Sequence, residues 1–348
     1  MFDHPSYDHH EGVHFFEDAA SGLKAIIAIH SSALGPAAGG CRMWPYATGE
    51  QALRDALRLS QGMSFKNAMA SLPLGGGKSV IWGNAKTDKS PALFEAFGRA
   101  IESLNGRYYT AEDVGVTTSD MALVASQTKY VAGLDTGAAA SGDPSPITAG
   151  GVYRGIKTCA ERAFGSADLS GRTIAVQGVG SVGGYLCDHL AQEGARLFVC
   201  DIDQETVTRV CERTGASRVN TDDIYDVDAD IFSPNALGAV INKATLGRLK
   251  VKVVAGGANN QLASPDMDSA LREAGILYAP DYVINGGGII NVAAEISGEY
   301  SRSWVMDKLD VLIETLGEVL DEALKASLPT NLVAERIARQ RIAAAKRG

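Results

Sequence analysis

Apolar residues recur along this chain with two different rhythms. From Gly22 to His30 (GLKAIIAIH) they form a β-branched run that predicts a strand. From Gln51 to Gly62 (QALRDALRLSQG) leucines fall at helical intervals, and Pro91 to Leu104 repeats that pattern. Residues 1–135 therefore read as a mixed α/β domain. A stretch of small and turn-forming residues, Gly137 to Pro146 (GAAASGDPSP), interrupts the pattern and reads as an interdomain connection or hinge. Beyond it, short apolar runs at Thr173–Gln177, Arg196–Cys200, Asp230–Phe232, Val251–Ala255 and Gly275–Tyr278 alternate with helical segments. That alternation predicts a parallel, doubly wound sheet of Rossmann type over residues 146–324. From Ser303 to Gly348 the pattern is helical and charged, and residues 325–348 are expected to pack back on the first domain. The architecture expected is α/β in two domains with a cleft between them.

Length and composition narrow the classes. A chain of 348 residues fits two domains, each large enough to bury its own core. A formal net charge of −9 and the lack of any basic run argue against a nucleic-acid surface. The five cysteines are scattered, with no CxxC pair, so neither a metal site nor a disulfide framework is expected, and free thiols fit the cytoplasm. Met1 to Glu11 is polar and holds no apolar signal core, and no apolar run approaches the roughly 18 residues of a membrane span.

Two glycine-rich segments carry candidate chemistry. Gly178-Val179-Gly180-Ser181-Val182-Gly183 follows a predicted strand and opens a predicted helix, Val182 to Glu193. This is the context a GxGxxG dinucleotide loop requires: tight turn, backbone approach to the pyrophosphate, close helix–strand packing, and N–H donors at the helix start. Asp201 closes the next strand, where an acid accepts the ribose hydroxyls and repels a 2′-phosphate, so NAD is expected over NADP. Asp203 reads as a solvated charge.

The second segment, Leu74-Gly75-Gly76-Gly77-Lys78-Ser79, fails the phosphate-loop pattern because Leu72 stands where a glycine is needed. What remains is Lys78 on a backbone almost without side chains, which would let a small substrate come close. Lys66 lies upstream in Ser64-Phe65-Lys66-Asn67, and two lysines converging on one pocket would depress each other's pKa. Asp113, in Thr110-Ala111-Glu112-Asp113-Val114-Gly115, is the natural carboxylate partner, with Glu112 an alternative by spacing. The six histidines form no HxxxH pair and read as non-catalytic; Trp44, Tyr46, Phe65 and Trp82 read as core.

Seven ordered motifs give the chain a wider likeness: Leu34–Trp44 (LGPAAGGCRMW), Gly62–Lys78 (GMSFKNAMASLPLGGGK), Gly106–Gly115 (GRYYTAEDVG), Val176–Gly183 (VQGVGSVG), Asp230–Gly238 (DIFSPNALG), Val254–Leu262 (VAGGANNQL) and Tyr278–Asn291 (YAPDYVINGGGIIN). Along nearly its whole length the sequence resembles the glutamate/leucine/phenylalanine/valine dehydrogenases, most of it the leucine branch. The resemblance implies NAD-dependent oxidative deamination of an apolar L-amino acid to its 2-oxo acid and ammonium, by a homo-oligomer. It implies Lys78 as general base, assisted by Asp113, and Lys66 on the substrate carboxylate. It further implies Asn259 where hydride passes, Thr148 and Asn285 at the carboxamide end, and Ala236 and Leu237 at the nicotinamide ribose, with Ile202 following Asp201. Gly39, Gly40, Ala38, Ala111, Ile289 and Val292 would line the substrate. Ala38 stands where glutamate dehydrogenases carry a lysine and leucine dehydrogenases a leucine, and some phenylalanine dehydrogenases share the alanine. Asn235 departs from relatives, which usually have cysteine there. The competing readings are a glutamate dehydrogenase, an amine dehydrogenase lacking Lys66, and an inactive regulator lacking Lys78 or Asp113. The residues present favour none of the three.

Overall fold

The computed structural model describes residues 2–134, 143–298 and 300–347. The chain forms two compact units: one from the described residues of 1–142, 289–306 and 338–348, the other from 143–288 and 307–337. Of the expected connection, residues 137–142 lie outside the described residues, and Ser145 already begins a helix.

The first unit is built on a mixed six-stranded sheet. Its strands are β1 (Gly12–Asp18), β2 (Leu23–Ser31), β3 (Ala37–Ala38), β4 (Cys41–Trp44), β5 (Gly75–Trp82) and β6 (Tyr108–Tyr109). β1, β2 and β5 run antiparallel in that order, while β3 and β4 pair with β5 in parallel and β6 extends β3. β2 is buried at every position but Lys24. Helices α1 (Gly49–Met69) and α2 (Pro91–Glu102) both pack on it, which is why its sequence is an unbroken apolar run rather than an alternating one. Thr48 caps α1 by accepting from the Gln51 N–H at 3.2 Å. The helix runs seven residues past the expected end, through the segment that holds Lys66. Leucine spacing hides this extension, because Ser60, Ser64 and Asn67 on the buried face are polar. Helix α3 (Thr118–Ala125) begins with a capping box between Thr117 and Asp120 and packs on α2.

The second unit is a parallel sheet in the order β12-β11-β10-β7-β8-β9. In chain order its elements are α4 (Ser145–Phe164), β7 (Thr173–Gln177), α5 (Ser181–Gln192), β8 (Arg196–Cys200), α6 (Gln204–Thr214), β9 (Ser217–Arg218), β10 (Ile231–Pro234), α7 (Lys243–Leu246), β11 (Val253–Val254), α8 (Asp266–Glu273), β12 (Leu277–Tyr278) and α9 (Asp281–Ile284). The switch of strand order at β7 places the loops after β7 and β10 side by side, the usual position of a ligand in such sheets. Three helices follow: α10 (Gly287–Ile296), α11 (Arg302–Ala326) and α12 (Thr330–Ala345). Residues 289–306 group with the first unit, and there the Gly133 N–H donates to Glu295 of α10 at 2.6 Å. The end of α12 joins the first unit too, where Arg341 donates to the Ala68 and Met69 carbonyls that close α1. No helix among the described residues is long and apolar enough to cross a membrane.

A buried polar cluster ties the N-terminal segment of the first unit to α1. His30 contacts Ser64 Oγ through Nδ1 at 2.7 Å and Asp8 through Nε2 at 3.3 Å. Asp8 also accepts from Gln61 at 2.6 Å and Arg339 at 2.8 Å. Burial, with His10 nearby, holds the His30 pKa down to about 4 from an ordinary 6.5. A histidine kept neutral in the fold contributes stability above its unfolded pKa, and that contribution is lost as pH falls from 6.5 towards about 4. The shift corresponds to roughly 3 kcal/mol. His30→Asn should therefore flatten the fall of the urea midpoint across this window; a curve as steep as the parent's would place the acid sensitivity elsewhere.

Candidate active site

In the first unit, β5 carries Lys78 at its middle, paired with Ala28 of β2. The glycines before it serve packing. A Cβ on Gly76 would lie 2.1 Å from the Ser64 nitrogen, so α1 meets the strand at backbone contact, and one on Gly77 would meet the Tyr108 ring at 2.7 Å. Glycine is therefore what lets α1 and Tyr108 close on the two faces of the strand beside Lys78. Lys66 lies two residues beyond Ser64 on the same helix and is half-buried.

Lys78 is only 5% exposed, and its Nζ sits 2.8 Å from Asp113 Oδ2. Burial opposes ionisation of Asp113, but the Lys78 ammonium and the Arg42 guanidinium beside it hold its carboxyl below the usual range. Glu112, the alternative by spacing, is exposed and accepts instead from the Thr118 hydroxyl at 2.9 Å. The Gly39-Gly40 segment is fixed by the Tyr108 hydroxyl, which donates to the Gly39 carbonyl at 2.6 Å, and by the Gly39 N–H, which donates to Tyr109 at 3.1 Å. Ala38 is 1% exposed in β3, and Ala111 is buried one strand away, its carbonyl accepting from the Cys41 N–H at 2.8 Å. Ile289 and Val292 lie one turn apart on α10, both half-buried.

Arg42 and Asp55 are the residues that sequence reasoning passed over. Arg42 Nε donates to Asp113 Oδ2 at 3.1 Å and Nη1 to Asp55 Oδ2 at 3.0 Å. The available signal was a single arginine inside the otherwise apolar strand Cys41–Trp44.

In the second unit the loop after β7 has the dinucleotide-binding form. Gly178 has φ +87°, and a Cβ there would press against Ala236 at 2.6 Å. Gly180 differs: nothing lies within 4 Å of where its Cβ would be, so internal packing does not require glycine there. That open space, at the N-terminus of the twelve-residue α5, is where a pyrophosphate fits. Ser181 and Val182 begin the helix, and Gly183 abuts the Gly178 carbonyl. Asp201 ends just beyond β8, its carboxylate accepting from the Val179 N–H at 2.8 Å and the Asp203 N–H at 3.0 Å. Asp203 itself caps α6. Ile202 is 91% and Leu237 80% exposed, two large apolar side chains left open at this edge, beside exposed Ala236.

Asn285 is buried, and its amide donates to Asn259 Oδ1 at 2.8 Å and to the Gly257 carbonyl at 3.2 Å. Its own Oδ1 finds no partner among the described residues. An orphaned buried acceptor of this kind fits a ligand's amide donor. Thr148, on α4, donates to the Pro144 carbonyl at 3.1 Å and lies against Gly288. Asn235 turns into the protein: its Oδ1 accepts from the Gly257 N–H at 2.8 Å and its amide donates to Ser233. Gly180, Asp201 and Asn285 together fit NAD. No group of three or more His, Cys, Asp or Glu that could hold a metal occurs among the described residues.

Comparisons with known proteins place the chain in a family. Residues 10–130 match the family model described as Glu/Leu/Phe/Val dehydrogenase, dimerisation domain, and residues 196–347 match that of glutamate/leucine/phenylalanine/valine dehydrogenase. The chain is 53% identical to a leucine dehydrogenase of Geobacillus stearothermophilus, over 97% of this chain and 91% of that protein. It is 45% identical to a phenylalanine dehydrogenase of Lysinibacillus sphaericus, over 94% and 87%. The crystal structure of an L-tryptophan dehydrogenase from Nostoc punctiforme superposes with a TM-score of 0.88 at 42% identity, over 98% of each chain.

Replacing Asp201 by serine removes the carboxylate expected to meet the ribose and repel a 2′-phosphate, so affinity for NADP should rise relative to NAD, as read by fluorescence titration of each dinucleotide. An unchanged ratio of the two affinities would assign the discrimination to another residue.

Proposed function

The chain belongs to the Glu/Leu/Phe/Val dehydrogenase family, and from that premise we propose that it oxidises a bulky apolar L-amino acid, with Lys78 as the general base. The activity of this NAD-dependent amino-acid dehydrogenase is oxidative deamination to the 2-oxo acid and ammonium. The observation that carries the assignment of Lys78 is its burial against Asp113 at 2.8 Å. When bound, NAD accepts the hydride from the substrate Cα. As a neutral amine, Lys78 takes the proton from the water that attacks the iminium carbon and returns one to the departing amino group. Asp113 holds that amine in place and stabilises its protonated form. Lys66 is assigned to the substrate carboxylate.

The side-chain preference follows from small apolar residues at Ala38 and Ala111. No cation stands at position 38 to meet a glutamate side chain, which would bury an unpaired charge. Alanine there, where leucine dehydrogenases have leucine, leaves room for a larger side chain, so we place aromatic amino acids ahead of leucine, methionine and valine. Ile289 and Val292 complete an apolar lining. The first unit is taken as the site of homo-oligomer assembly, in keeping with the dimerisation-domain model that matches it, and the free cysteines fit a cytoplasmic enzyme.

Lys78→Ala should lower kcat by about 10²–10⁴-fold while leaving NAD affinity nearly unchanged, in steady-state assay and titration respectively. Retention of most of the parent's kcat would remove Lys78 from the role of base. For the substrate, kcat/KM is measured with phenylalanine, tryptophan, leucine and valine in the parent and in Ala38→Leu. Each methylene accommodated is worth about 1–3 kcal/mol, so the added leucine should penalise the aromatic substrates most. Equal losses for all four would show that position 38 does not face the side chain.

A further inference from the structure

The carboxylate that pairs with Lys78 has a second cationic partner. Asp113 Oδ2 takes Lys78 Nζ at 2.8 Å and Arg42 Nε at 3.1 Å. The same guanidinium reaches Asp55 Oδ2 with Nη1 at 3.0 Å, and Tyr46 donates its hydroxyl to that oxygen at 2.9 Å. Arg58 closes the outer end at Asp55 Oδ1, 3.1 Å away. From β5 through the Asp113 loop and β4 to α1, the charges alternate in sign. Only the outermost member, Arg58, is substantially exposed, at 47% of its side chain against 19% for Arg42 and 20% for Asp55.

We propose that Arg42 is a positioning residue whose permanent charge keeps Asp113 ionised and fixed while Lys78 gives up its proton, with Asp55 setting the strength of that charge. The proposal rests on the reading of Lys78 as the general base.

A lysine that acts as a base must be neutral for part of each turnover. If Lys78 and Asp113 were alone, deprotonating the lysine would leave a buried carboxylate without a counter-charge. The pair would then retain one proton between them, and the amine would be a poor base. Arginine does not release its proton under any condition in which an enzyme works. Asp113 therefore keeps a cationic partner in both states of Lys78. Arg42 also repels the Lys78 ammonium, which favours the neutral amine. Asp55 moderates this repulsion by neutralising part of the guanidinium charge. The planar fork of arginine lets one group hold two carboxylates at fixed angles, which a lysine cannot do.

The other groups around the pair are accounted for. Cys41 faces it from β4, its thiol pushed up to about 12 by burial. Tyr108 faces it from β6 with its phenol raised by burial, and Tyr46 is raised by burial and by Asp55. None of the three ionises near neutral pH. Burial works against ionisation of Asp55, but the Tyr46 hydrogen bond and Arg42 outweigh it and hold its carboxyl below the usual range. Asp120 of α3 is engaged with Lys89, and Lys66 stands on α1, which packs on β5. Arg42 and Asp55 are thus fixed charges beside a group that titrates.

The test is the pH dependence of kcat/KM for deamination, using an amino acid that the parent enzyme turns over. Arg42→Met should move the acid limb to higher pH by about one unit, because Lys78 then holds its proton more tightly. Asp55→Asn should move it to lower pH, because the guanidinium then repels Lys78 in full. Arg42→Lys, which retains the charge and loses the fork, should lower kcat but leave the limb near its parent position. Opposite displacements in Arg42→Met and Asp55→Asn are not expected from a residue that only supports the fold. If both variants lose kcat uniformly with the limb unmoved, the proposal is overturned. Should Arg42→Met fail to fold, an unmoved limb in Asp55→Asn overturns it equally. A parent enzyme that deaminates no amino acid, or an acid limb that survives in Lys78→Ala, instead overturns the assignment of the base and takes this proposal with it.

Discussion

A buried ammonium on the central strand of the first unit is the constraint from which much of its architecture follows. An unpaired charge so far from water would neutralise itself or unfold its surroundings. Lys78 Nζ is paired with Asp113 at 2.8 Å, and Asp113 in turn with Arg42. To bring the Asp113 loop to β5, the chain places β3 and β4 parallel to that strand and threads Gly39-Gly40 between them. A Cβ on Gly40 would touch the Glu112 carbonyl and Asp113 itself, at 2.6 and 2.9 Å. The same closeness recurs on the other face, where α1 rests on the backbone of Gly76. Small residues here are a condition for assembling the charged site.

The parallel sheet was legible in the sequence because its strands, buried on both faces, are short apolar runs separated by helices. Thr173–Gln177 and Arg196–Cys200 match the observed bounds to the residue. The runs at Val251–Ala255 and Gly275–Tyr278 overstate β11 and β12, where ladder pairing covers only two residues each. β1 was not foreseen, since Phe15 and Glu17 are exposed and its apolar pattern is weak. The return of residues 289–306 to the first unit also had no sequence signal, because grouping across the chain is a tertiary property.

Site residues divided along a similar line. Glycine loops and acids at fixed spacing are local signals, so Gly178, Gly180, Asp201 and the Lys78 segment stood out. The choice between Asp113 and Glu112 could not be made locally: adjacent residues project differently, and only the fold aims Asp113 at Lys78 and Glu112 at Thr118. Arg42 was harder still. Its two partners lie 13 and 71 residues away in sequence, and a lone arginine in an apolar strand reads as a surface charge until those carboxylates are placed.

The second unit shows the complementary case, in which a polar group is left without its partner. An unsatisfied buried acceptor costs about 1–3 kcal/mol. The Asn285 amide spends its donors on Asn259 and Gly257, which fixes the side chain and leaves Oδ1 facing no donor of the unit. Rotating the amide by 180° would bring its oxygen against two other oxygens, the Asn259 carboxamide and the Gly257 carbonyl, so the present orientation is the one the surroundings enforce. The fold therefore carries a cost that a carboxamide N–H from a nicotinamide ring would offset, and a ring without that group would not. Discrimination of this kind would come from a pre-set acceptor, as a pre-set anion would exclude a 2′-phosphate; at Asp201 the Val179 and Asp203 N–H groups hold the carboxylate in place.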